Sequence, residues 1–180
     1  MRESRQLLRH FLAALAYRTQ KALRGAPADF ADFRAAPTAR TPHELLWHMT
    51  GLIGFARTFF HGGSFAPPPV ATLAEEVARF HKQLELLAGD LADASLTSSL
   101  SDEQLLQGPL ADAMTHVGQL AMLRRLHGEP VPSENFIHAD VDVANLTSAQ
   151  AEPRAPDAWW RADQGPLPPG PLRPDGTLED

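Results

Sequence analysis

Hydrophobic residues recur at intervals of three and four along four segments of the chain. This spacing places them on one face of an α-helix. We therefore predict helices over about residues 3–24, 41–60, 73–94 and 109–127. No stretch shows the strict alternation, rich in Val, Ile and Thr, that is typical of a half-buried strand. The pattern favours an all-α protein.

Local start signals agree with this periodicity. Thr41 and Thr72 are suitable N-cap residues, and each is followed three positions later by a glutamate, Glu44 or Glu75, which completes a capping box. Pro109 suits the first position of the last helix, where no backbone donor is needed. Four helices of similar length with apolar stripes pack most economically as a four-helix bundle.

The character of the chain changes after residue 130. Half of the 16 prolines follow this point, and no helical period continues. We predict a four-helix bundle at 1–130 and a mostly irregular, Pro-rich C-terminal tail at 131–180, poorly ordered from residue 165 onwards. Large apolar side chains suggest that parts of the tail pack on the bundle: Phe136, Ile137, Trp159 and Trp160.

Composition and charge exclude several classes of function. The net charge is -6 and the 16 basic residues are scattered, which argues against a nucleic-acid-binding domain. Because the chain has no cysteine, any bound metal must take nitrogen and oxygen ligands. No segment approaches the roughly 20 apolar residues needed to span a bilayer, and the short apolar run near the N-terminus lacks the features of a targeting signal. We expect a cytoplasmic protein with no membrane partner.

Three polar side chains fall on predicted apolar stripes. His48 follows Leu45 by three positions in the second helix, and Asp112 and His116 lie four apart on one face of the last helix. We expect all three to point inward. A buried carboxylate carries a desolvation cost of several kcal/mol unless it is paired, and a divalent metal ion shared with two imidazoles would satisfy the three groups together.

A metal-free interpretation remains open from the residues alone. Asp112 can pair with protonated His116, and it also lies in the first helical turn, where the helix dipole favours a carboxylate. His81 falls on the inner side of the third helix. Its role there is open: it is a packed imidazole, a contact for the substrate, or a hydrogen-bonding support for the metal ligands. Gln119 can bond a ligand or a neighbouring loop, and Trp47 is expected to anchor the tail or a subunit interface.

Two segments resemble the DinB-like superfamily, including its YfiT-type members. They are residues 42–49 (PHELLWHM) and 116–120 (HVGQL), the latter followed by LRRLHG. Members are four-helix bundles that typically place one metal-binding histidine in the second helix and two more, four apart, in the last. The resemblance covers roughly residues 5–130 and implies His48 and His116 as ligands. Asp112 stands where the family has a histidine.

That departure has two outcomes. A carboxylate can replace an imidazole, giving the two-histidine, one-carboxylate face of many non-haem iron sites, or the substitution weakens or abolishes metal binding. The resemblance implies a divalent metal cofactor (Zn, Ni, Fe or Mn), a small-molecule substrate, a homodimer, and activity as a metal-dependent hydrolase or thiol transferase. The alternative is a non-catalytic, stress-related bundle that binds a small ligand or a protein partner without metal.

Overall fold

The structure is a computed structural model that describes residues 3–153. Within that range the chain is all-helical and contains no β-strand, which confirms the all-α prediction for these residues. Its helices are α1 (Glu3–Leu23), α2 (Pro42–His61), α3 (Leu73–Ala92), α4 (Asp102–Leu105) and α5 (Ala111–Leu126). None of these helices is both long enough and apolar enough to cross a membrane.

The four long helices form a helical bundle. α1 and α2 each pack against both α3 and α5, so α1 lies diagonally opposite α2, and α3 lies opposite α5. The stripes identified in the sequence meet in the centre, where each large apolar side chain contributes about 1.5–3 kcal/mol through burial. The fully buried members include Leu12, Leu15, Leu46, Met49, Phe80, Leu84 and Leu120.

Both predicted capping boxes are present. The Glu44 backbone N–H donates to the Thr41 hydroxyl at 3.2 Å, and the Thr41 N–H donates to the Glu44 carboxylate at 2.8 Å. Thr72 and Glu75 make the same pair of bonds at the start of α3. These caps fix the first residue of each helix, and therefore the direction in which every later side chain points.

The last long helix begins close to the predicted position, but a turn that was not predicted precedes it. A turn of π-helix, Leu106–Leu110, joins α4 to α5, and its Gly108 has non-helical angles (φ -89°, ψ -106°). The helix that was expected from residue 109 therefore begins at Ala111 and has no side-chain cap. Asp112 does lie in its first turn, where its charge interacts favourably with the helix dipole.

The connection between α2 and α3 is held against α2. The Trp47 indole N–H donates to the Pro67 carbonyl at 2.9 Å. The expectation that Trp47 anchors the tail or a subunit interface stays a prediction, because residues 154–180 lie outside the described residues. The ring of Phe65 packs closely on Gly54: a Cβ atom added to Gly54 would lie 2.1 Å from the Phe65 ring. These contacts bring Pro67 beside α2, where it forms a wall of the candidate site.

Residues 131–153 lie along α1. The Tyr17 hydroxyl donates to the Glu134 carboxylate at 2.6 Å, and the ring of Phe136 contacts both Tyr17 and the guanidinium of Arg18. Ile137 is 87% exposed, so the expectation that it packs on the bundle is wrong; it follows Phe136 in a single 3-10 turn, which turns the two side chains apart. Trp159, Trp160 and residues 165–180 lie outside the described residues.

Candidate metal centre

α2 and α5 bring the three predicted side chains together. One ligand atom from each of His48, Asp112 and His116 lies within 4.8 Å of the other two. The Asp112 carboxylate is central: one oxygen is 3.2 Å from His116 Nε2, and the other is 3.9 Å from His48 Nε2. Among residues 3–153 no other three histidine or acidic side chains converge in this way.

The two imidazoles face each other across the contact between the helices. Their ring centroids are 4.8 Å apart and the ring planes make an angle of 81°. His48 lies almost two turns into α2, after a start fixed by Thr41, and His116 lies in the second turn of α5. Each histidine is therefore carried by a regular part of a helix, which limits its movement.

The site lies at the edge of the bundle. His116 is buried, as expected from the sequence, whereas His48 and Asp112 are more open than the expected inward orientation. Exposure of the side chains rises from 10% for His116 to 32% for His48 and 48% for Asp112. Phe55, seven residues after His48 on the same stripe, is also 48% exposed. The stripe of α2 is wider than the surface that α5 covers, so its margin remains open. Asp112 consequently carries little desolvation cost.

Gln119 orients His116. The His116 Nδ1–H donates to the side-chain oxygen of Gln119 at 2.9 Å, one turn further along α5. That bond leaves the Nε2 lone pair directed towards Asp112. Histidines that bind metals usually donate their other ring N–H to such an acceptor, which fixes the tautomer and the ring orientation. The partner of Gln119, which the sequence alone did not decide between a ligand and a loop, is therefore His116 on the same helix.

The surroundings of His48 favour its neutral form. Burial lowers its pKa below the ordinary histidine value, the charge of Arg40 and the nearby His116 lower it further, and Asp112 acts in the opposite direction. Since a metal binds the unprotonated imidazole, a lowered pKa keeps His48 available as a ligand at neutral pH.

The distances fit a metal-binding group. Nitrogen and oxygen ligands about 2.0–2.2 Å from a shared ion lie about 3–3.5 Å from one another. The pair formed by His116 and Asp112 already matches this separation, and the half-open His48 side chain needs a movement of about 1 Å. His48, Asp112 and His116 could therefore hold a metal ion, and three protein ligands leave further coordination positions open.

Two grooves flank the triad. One, of about 420 Å³, includes His116 and Gln119; the other, of about 470 Å³, includes His48 and Pro67. Arg40 lines both. Arg40 was not predicted as a site residue, and the signal that could have identified it is its position immediately before the N-cap of α2.

The remaining histidines are engaged elsewhere. His81 is buried; its Nδ1–H donates to the Leu146 carbonyl at 2.7 Å and its Nε2 accepts from Gln20 at 3.0 Å, so it packs the tail against the bundle. His61 contacts Asp90 at 2.9 Å. A cavity of about 730 Å³ includes His43 but none of the triad.

The chain matches no protein-family model, no curated protein and no solved structure. The geometry of the site therefore carries the functional interpretation.

Proposed function

We propose that this protein is a DinB-like, metal-dependent enzyme that acts on a small molecule, with His48, Asp112 and His116 as the ligands of a divalent ion such as Zn, Ni, Fe or Mn. One observation carries the proposal: three metal-binding side chains from two helices converge within 4.8 Å at the surface. The order of ligands along the chain, one in α2 and two four apart in α5, also supports the family assignment.

The protein positions the ligands, fixes the tautomer of His116 and leaves the site accessible to a small molecule. Gln119 holds the His116 ring with Nε2 towards the site, and the neighbouring grooves admit a small molecule. A bound ion of this kind supplies Lewis-acid chemistry: it can lower the pKa of water to about 7 for hydrolysis, or bind a thiolate for transfer. The family assignment brings with it a cytoplasmic homodimer, and light scattering of the purified protein tests the dimer.

The second candidate is a metal-free bundle that binds a ligand or a partner. The 3.2 Å separation of His116 and Asp112 favours it, because a protonated His116 would form an ion pair there. Since Nδ1 already donates to Gln119, this ion pair requires a second proton on the ring. The two candidates therefore differ in what occupies His116 Nε2, a proton or a metal ion.

Metal content separates them. Protein without a His tag is dialysed against zinc, freed of excess ion, and measured by mass spectrometry beside His48→Ala, His116→Ala and the exposed control His138→Ala. We expect about one equivalent in the wild type and the control, and a loss in both site variants. Equal metal content in all four proteins would contradict the proposal, as would a melting temperature that chelators leave unchanged.

A further inference from the structure

Arg40 has a special position beside the candidate metal centre. It is the last residue before Thr41, the N-cap of α2, and it is exposed. It lines the groove that contains His116 and also the groove that contains His48. A small molecule in either groove that reaches the triad therefore lies beside this guanidinium.

The Arg40 guanidinium makes no hydrogen bond or close ion pair with any of residues 3–153, although its charge acts on the Glu44 carboxylate from a distance. The acid in the same groove, Glu44, is already engaged: one oxygen accepts from Arg34 at 2.9 Å and the other accepts from the Thr41 N–H at 2.8 Å. Elsewhere in the bundle Arg57 is paired with Asp90 at 2.8 Å. Arg40 thus offers a complete set of donors to a bound molecule.

The charge balance of the loaded site favours an anion. Two neutral imidazoles and the Asp112 carboxylate leave a divalent ion with a net charge of +1, and Arg40 adds another positive charge beside it. A site with this excess attracts a negatively charged ligand and repels a cationic one.

The groups around Arg40 indicate which class of anion it binds. The guanidinium is a planar fork that forms two parallel hydrogen bonds with a carboxylate or with a phosphate, so the neighbouring groups decide between them. A phosphate would be served by free backbone N–H groups at a helix N-terminus, but the Thr41 and Glu44 side chains already cap the start of α2. The groove beside His116 is otherwise largely apolar, with Leu45, Met122 and Leu123 in its lining.

We propose that Arg40 binds a carboxylate of the substrate, whose apolar stem lies in the groove while its reacting group reaches the metal centre. The proposed substrate is a small organic acid with one negatively charged end. This inference rests on the proposed metal function, and it makes Arg40 a residue that determines substrate specificity.

Two thiols of matched length test the inference on cobalt-loaded protein. 3-Mercaptopropionate carries the carboxylate, and 3-mercaptopropanol is its neutral counterpart; binding of either thiolate is followed by its sulfur-to-cobalt absorption band. We expect the wild type to bind the acid about tenfold more tightly, as a charge-assisted pair permits. Arg40→Gln should reduce this preference to less than about twofold, with cobalt affinity retained. Arg40→Lys should be intermediate, because it keeps the charge and loses the fork.

Arg125→Gln is the matched control, since it removes one exposed positive charge from α5 and should keep the tenfold preference. Cobalt binding with no preference in the wild type overturns the role of Arg40 alone. A preference that survives in Arg40→Gln, or that is lost equally in Arg125→Gln, also overturns it. Failure of the wild type to bind cobalt contradicts the metal function, and this inference with it.

Discussion

The Nδ1–H of His116 donates a hydrogen bond to the side-chain oxygen of Gln119, 2.9 Å away. This bond fixes which nitrogen of His116 faces Asp112. Loss of such a supporting acceptor typically costs 10- to 100-fold in metal affinity. We expect Gln119→Ala to weaken zinc binding by about tenfold or more, measured by competition with a fluorescent chelator. Gln107→Ala, which removes an exposed glutamine before α5, should bind zinc as the wild type does; equal affinities in all three proteins would show that Gln119 is not needed.

Asp112 supplies the only negative charge of the proposed ligand set. Asp112→Asn keeps the size and removes the charge, so we expect at least about a tenfold fall in zinc affinity. Because the carboxylate is 48% exposed, the metal-free protein should lose less than about 1 kcal/mol of stability, mainly through the helix dipole. Asp112→His creates the three-histidine set of the DinB-like family and should retain binding. Unchanged zinc affinity in Asp112→Asn would remove Asp112 from the ligands.

His81 should make the bundle sensitive to acid. Burial lowers its pKa, and the hydrogen bond to Leu146 offsets this in part. The folded state then binds fewer protons than the unfolded state when the pH falls below about 6.5, the ordinary histidine value. The free energy of unfolding is therefore greatest above that pH and decreases as the pH falls through the lowered pKa. Urea denaturation of metal-free protein between pH 7.5 and about 5 measures this slope.

His48 contributes to the slope in the same direction, since its pKa is also lowered. His81→Asn cannot titrate and keeps a hydrogen-bond donor, so it should make the free energy of unfolding less dependent on pH. His48→Asn should remove a separate part of this pH dependence. A wild-type slope in His81→Asn would contradict the assignment to His81.

Arg124 should be important for stability although its neighbour Arg125 is not. Its buried guanidinium donates to the backbone carbonyls of Ala22, Arg24 and Glu129 at 2.9–3.4 Å, and so joins the end of α1 to the residues after α5. Arg124→Ala leaves these acceptors without a partner, and we expect a loss of about 2–4 kcal/mol in unfolding free energy. Arg125→Ala, at an exposed position, should stay within about 0.5 kcal/mol. Similar losses in both variants would contradict this role.

The helices were largely predictable because their signals are local. Thr41 and Thr72 cap within three residues of themselves, and periodicity identifies a helix face without knowledge of its partner. The start of α5 was predicted closely, but the π-turn that joins α4 to α5 was not predicted. The assignment of residues 131–180 as a tail extends beyond the described residues and stays a prediction.

The triad was predictable for the same reason, since a spacing of four places Asp112 and His116 on one face. The burial of the triad was not predictable, because periodicity gives the direction of a side chain but not how far the neighbouring helix covers it. Asp112 was therefore expected inside the bundle, whereas it lies half exposed. Arg40 was missed because it belongs to an irregular segment, whose position depends on tertiary contacts.

The most direct test of the central claim is an anomalous-scattering map of crystals grown with zinc, from data collected on both sides of the zinc absorption edge. We predict a single strong peak bonded to Nε2 of His48, Nε2 of His116 and the Asp112 carboxylate, at about 2.0–2.2 Å from each. A map with no peak between α2 and α5, or with zinc bound only by other side chains, would contradict the account.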